Sequence, residues 1–117
     1  MAIQDQSAAG PHYYTAGDSA IRWIREISKD AQTPAYILER LSISTNADVR
    51  TAVADHPNTP LEVLWLLSVD RDADVRFSLA ENHNLDTSVL NEMTKDNNPY
   101  VASRAERTLS RISYKRS

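Results

Sequence analysis

Residues 30–107 repeat with a period of 26 residues, and so short a period leaves few folds open. The copies read DAQTPAYILERLSISTNADVRTAVAD (30–55), HPNTPLEVLWLLSVDRDADVRFSLAE (56–81) and NHNLDTSVLNEMTKDNNPYVASRAER (82–107). A unit of this length cannot bury a core alone, so its copies must stack and cover one another. The apolar columns align without gaps: Ile37 with Val63 and Val89, Leu38 with Leu64 and Leu90, Leu41 with Leu67 and Met93. Later in each unit Val49 aligns with Val75 and Val101, and Val53 with Leu79 and Ala105.

Within a unit these positions fall three and four apart, which is one face of a helix, and no useful stretch alternates with period two. Each unit therefore reads as two short helices. Thr33-Pro34 and Thr59-Pro60 place a side-chain acceptor before a proline at the first helical position, and Thr59 with Glu62 has the spacing of a capping box. Asn46, Asp72 and Asn98 stand at the N-cap of the second helix, again 26 apart. The expectation is an all-α chain, a solenoid of about three two-helix repeats.

Ahead of the repeats, Gly10, Pro11 and Gly17 mark residues 1–17 as a flexible arm. Asp18-Ser19 starts a cap helix over 18–29, and residues 108–117 finish the last helix and carry a basic tail. With 117 residues there is length for one core. Cysteine is absent, which excludes disulfides and thiolate chemistry. No apolar run is long enough to span a membrane, and the N-terminus lacks the pattern of a signal peptide, so the expected location is cytoplasmic.

The pattern Asp-Val-Arg, then Asn/His-Pro-x-Thr-Pro, then two apolar residues and Leu resembles the variant leucine-rich repeat and its HEAT-like relatives. It is clearest from Asp48-Val49-Arg50 to Leu67 and from Asp74-Val75-Arg76 to Ala80. The third unit departs from it, with Tyr100-Val101-Ala102 for the triplet and Leu85-Asp86 for Thr-Pro. The resemblance implies a right-handed helical superhelix used as an interaction surface. Related folds include some enzymes, so an accessory enzyme subunit is an alternative reading.

Little in the chain is equipped for chemistry. There is no glycine-rich phosphate loop, nucleophile elbow or HExxH pair, so the chain is read as a non-enzyme with no cofactor. His56 and His83 sit at neighbouring junctions but lack the further ligands a metal centre needs. The arginines of the triplets, Arg50 and Arg76, are expected to bridge to an Asp or a helix-end carbonyl of the next unit rather than to bind a ligand. Residues 1–94 carry a net −7 and residues 95–117 a net +4. The acidic body argues against a nucleic-acid groove, since that affinity rests on lysine and arginine. The tail residues Arg104, Arg107, Arg111, Lys115 and Arg116 form a candidate docking patch and the basis of an alternative, nucleic-acid-associated reading.

The repeats also act as an internal control, because a column that is polar in two units is expected to face solvent in the third. Trp65 aligns with Glu39 and Asn91, Leu66 with Arg40 and Glu92, Phe77 with Thr51 and Ser103, and Tyr36 with Glu62 and Ser88. Trp65 points roughly 155° from its helix's core stripe, at ~100° per residue, and Leu61 lies one turn earlier on that side. Trp65, Leu66, Leu61, Phe77 and Tyr36 are the candidate protein-binding residues, for a protein partner or a second copy of the chain.

Overall fold

The computed structural model describes residue 22 and residues 24–116; the arm, including Tyr13 and Tyr14, lies outside the described residues. Residues 24–29 are helical, and six helices follow. They are α1 (Ala35–Leu41), α2 (Ala47–Asp55), α3 (Leu61–Leu67), α4 (Ala73–Ala80), α5 (Thr87–Met93) and α6 (Pro99–Arg116). The first helices start at 35, 61 and 87 and the second at 47, 73 and 99, so both series keep the 26-residue step of the sequence. Among the described residues there is no strand, and no helix is long and apolar enough to cross a membrane.

The second helices begin where the sequence places their caps. Asn46 accepts from the amides of Asp48 and Val49, Asp72 from Asp74, and Asn98 from Tyr100 and Val101. Each bond satisfies a donor that the first helical turn leaves open.

The first helices begin differently from the expectation. Pro34 and Pro60 occupy the cap positions themselves, without a side-chain cap, and Thr33 and Thr59 do not act as acceptors. The Thr59 hydroxyl instead donates backwards to the Val53 carbonyl at 2.6 Å, and Thr33 donates likewise to Ile27. The turn between units is so tight that each hydroxyl meets an orphan carbonyl of the preceding helix before it can reach the amides ahead.

The repeated columns form the core. Leu38, Val53, Val63, Leu67, Val75, Leu79, Val89, Leu90, Met93, Val101 and Ala105 are buried, with Leu41 and Leu64 half-buried against them. Full burial of one such aliphatic side chain contributes about 1.5–3 kcal/mol. The layers pack unequally. Successive second helices lie directly on one another, α2 on α4 and α4 on α6, while no comparable contact joins α1, α3 and α5. The second helices thus form the tighter, inner layer and the first helices a splayed outer one. α6 runs on past the length of α2 and α4, holding Leu109 and Ile112 against the core.

Polar bridges tie the units at two levels. The Arg50 guanidinium donates to Asp70 through Nε at 2.9 Å and Nη2 at 3.1 Å, and through Nη1 to the Ser44 carbonyl at 2.7 Å. Arg76 does the same one unit on, to Asp96 at 2.8 and 3.3 Å and to the Asp70 carbonyl at 2.7 Å. The arginine ladder is therefore present, but its acids are Asp70 and Asp96, not those of the triplets. Asp48 and Asp74 are exposed in first turns. Burial pushes the Asp70 carboxyl up, but hydrogen bonds from Arg50 and the Asp72 amide, with the nearby Arg50 and Arg71 charges, hold it below the ordinary carboxylate range.

The second level caps helix-end carbonyls. Buried His56 donates from Nε2 to the Asp30 carbonyl at 2.6 Å, while its Nδ1 accepts from the Asn58 amide at 3.0 Å. One period on, Asn82 donates to the Ala54 carbonyl at 3.3 Å, and Thr108 donates to Ala80 at 2.6 Å. Three residue types thus perform one task in the same column.

Candidate functional site

The outer layer carries most of the exposed apolar bulk. Trp65 and Leu61 sit one turn apart on α3, 38% and 44% exposed, with Leu66 beside them at 53%. Tyr36 on α1 is also exposed. Two further residues extend this surface: Ile43 and Val69, at equivalent points of the turn after α1 and α3, are 76% and 75% exposed. They align with Lys95, but their column is apolar in two units, so the comparison that picks out Trp65 from two polar siblings does not select them. In the third unit the equivalent positions carry Thr87, Ser88, Asn91, Glu92 and Lys95, which bounds the apolar surface to the first two units.

Phe77 does not belong to that surface. It lies on α4, in the inner layer, half-buried against the core. Its column is less exposed than its polar siblings imply because the neighbouring second helices pack directly on α4 and shield it. The structure therefore separates the five candidates, leaving Tyr36, Leu61, Trp65 and Leu66 on the outer layer and Phe77 on the inner.

The inner face is ordered by charge instead. Its outward columns hold Arg22, Arg25 and Lys29 ahead of α2, Asp48 and Asp55 on α2, Asp74 on α4 with Glu81 at its end, and Arg104 and Arg107 on α6. Burial, followed by repulsion from Glu81, raises the Asp55 carboxyl above its ordinary range, so the acids of neighbouring units lie close enough to oppose each other's charge. Of the tail residues, Arg107 and Arg111 are exposed and Arg104 is half-buried; the side chains at 115 and 116 lie outside the described residues.

A hollow of about 450 Å³ opens on this face, lined by Arg25, Lys29, Asp48, Thr51, Asp55 and His56 among others. It brings an acid beside a histidine, but both His56 nitrogens are committed to the backbone, so the ring is fixed in place rather than free to move a proton. His83, one unit on, is exposed. Among the described residues no three histidine or carboxylate side chains gather as a metal site.

Comparison with known proteins gives one match. Residues 47–72 fit the family model described as leucine rich repeat variant. That window is one full 26-residue period, from the start of α2 to the cap of α4. No curated protein and no solved structure matches the chain.

Proposed function

We propose that this chain, a stack containing a variant leucine-rich repeat, is a non-enzymatic binding module that holds a protein partner on its outer layer. Helical repeats of this family are often used for protein interaction. The observation that carries the proposal is the distribution of exposed apolar residues: Tyr36, Ile43, Leu61, Trp65, Leu66 and Val69 all lie on the first helices, or the turns after them, of two adjacent units. A tryptophan among aliphatic neighbours is the usual composition of a binding hot spot. The commitment of Arg50 and Arg76 to internal bridges leaves less basic surface for a nucleic acid.

The test is partner capture from lysate with the native chain and with Trp65→Glu/Leu66→Arg, which installs the residues of the first unit at these positions. The variant is expected to keep its helical signal and thermal midpoint and to lose a specific partner. A folded variant that keeps every partner overturns the assignment, and early melting shows that these side chains serve the core.

A further inference from the structure

The inner face of the last two units carries a pattern that complements itself. On α4 and its cap the outward columns read Asp74, Phe77, Ser78 and Glu81; on α6 the same columns read Tyr100, Ser103, Arg104 and Arg107. The first set is acidic with an aromatic centre, and the second is basic with a phenol at its start. None of Asp74, Glu81, Arg104 and Arg107 takes part in an ion pair among the described residues. Arg104 also holds a buried Nε with no hydrogen-bond partner, and Tyr100 stands 78% exposed above a hollow of about 300 Å³ shared with Phe77 and Asp74.

We propose that this face pairs with the same face of a second copy of the chain. A two-fold axis in the plane of contact, parallel to the helices, reverses the order of units and preserves helix direction. It lays α4 of one copy over α6 of the other, and α6 over α4. Three of the four columns then meet a complementary one: Glu81 meets Arg107, Asp74 meets the Tyr100 hydroxyl, and Ser78 meets Arg104, whose guanidinium also reaches the Phe77 ring. Each match occurs twice, once for each copy. The other two-fold, along the stack, puts unit on like unit and sets acid against acid, so the charges select one arrangement.

Two helices at ~10 Å spacing, matched only over the 8 residues of α4, offer a small contact, which places this dimer among weak and transient interfaces that depend on salt. The pairing uses none of the outer apolar residues, so both faces are available at once.

The experiment is sedimentation of the full chain at up to ~500 μM protein, a range suited to weak association. The native chain is expected to dimerise at low salt and to dissociate as salt is added. Glu81→Arg and Arg107→Glu are each expected to weaken association by about tenfold or more, since each places like charges opposite twice per dimer. Their equimolar mixture is expected to recover the dimer, because the two variants restore opposite charges across both copies. Unchanged thermal midpoints in both show that the fold is intact. A native chain that stays monomeric at low salt overturns the proposal. So does a dimer that persists in both single variants, which assigns self-association to another surface, and so does a mixture that fails to recover. Trp65→Glu/Leu66→Arg is expected to keep the dimer, which separates this proposal from the outer-layer reading.

Discussion

Replacing Arg50 with alanine is expected to be among the most damaging single substitutions in the chain, although the residue is charged. Its side chain is 3% exposed, and its partner Asp70 is 6% exposed. Truncation removes two bonds to Asp70 and one to the Ser44 carbonyl, leaving the buried carboxylate without its counter-charge, held by the Asp72 amide, and the carbonyl without its arginine donor. Breaking one side of a buried pair costs about 3–5 kcal/mol, mostly the penalty of the orphaned charge. In a domain of this size that lowers the melting midpoint by roughly 15–25 °C. The exposed Lys95–Glu92 pair supplies the contrast: Lys95→Ala is expected to cost at most about 0.5 kcal/mol.

The damage has a pH signature. Asp70 titrates below its ordinary value in the native chain, so its stabilising contribution is present above the unfolded carboxylate pKa and is lost as pH falls through the lower native one. In the variant the orphaned Asp70 takes up a proton more readily, which relieves its burial penalty. The gap between native and variant is therefore expected to narrow on acidification from pH 7 through the carboxylate range. Thermal melts of both chains across that interval measure it. A loss below about 1 kcal/mol at pH 7, or a gap that does not move with pH, refutes the argument that Arg50 acts by neutralising a buried acid.

Two substitutions probe the carbonyl caps. Thr59→Val keeps the shape but removes the donor to Val53, with an expected loss of about 1–2 kcal/mol by chemical denaturation. His56→Ala opens both backbone contacts and is expected to cost about 2–3 kcal/mol, whereas His56→Asn, the residue at the same column one unit on, is expected to recover part of that in the same assay.

The helix pairs and their core columns are legible in the sequence because each copy checks the others: an apolar position that recurs at 38, 64 and 90 has one explanation. The same comparison finds Trp65, Leu66 and Tyr36, and helix geometry adds Leu61; the exposure of each is set by the direction of the side chain from its own helix. It misjudges Phe77, because shielding there comes from neighbouring units, and unequal packing of the two layers is not written in any single column. The threonines mislead for a different reason. A hydroxyl both donates and accepts, so Thr59 before Pro60 fits a cap on local grounds, and only the path of the preceding turn shows which role it takes. The ladder is half legible. Arg50 and Arg76 stand out as bridging residues, but each unit offers several carboxylates, and the distance of 20 residues to Asp70 and Asp96 emerges only once the helices are stacked.

The ladder makes the fold modular. Each rung joins an arginine to an aspartate 20 residues ahead and a carbonyl six behind, and consecutive rungs share Asp70, whose carboxylate serves one arginine and whose backbone serves the next. The joint is indexed by position in the period and is indifferent to which unit supplies it. Excision of residues 56–81 brings Asp96 into the place Asp70 held relative to Arg50, so the rung re-forms across the seam. Excision of half a period between Arg50 and Asp70 leaves Arg50 facing the wrong residue, while the Arg76 rung keeps its spacing. Such a chain can lengthen or shorten by whole units without inventing a new interface, while a fractional change breaks the joint that spans the cut.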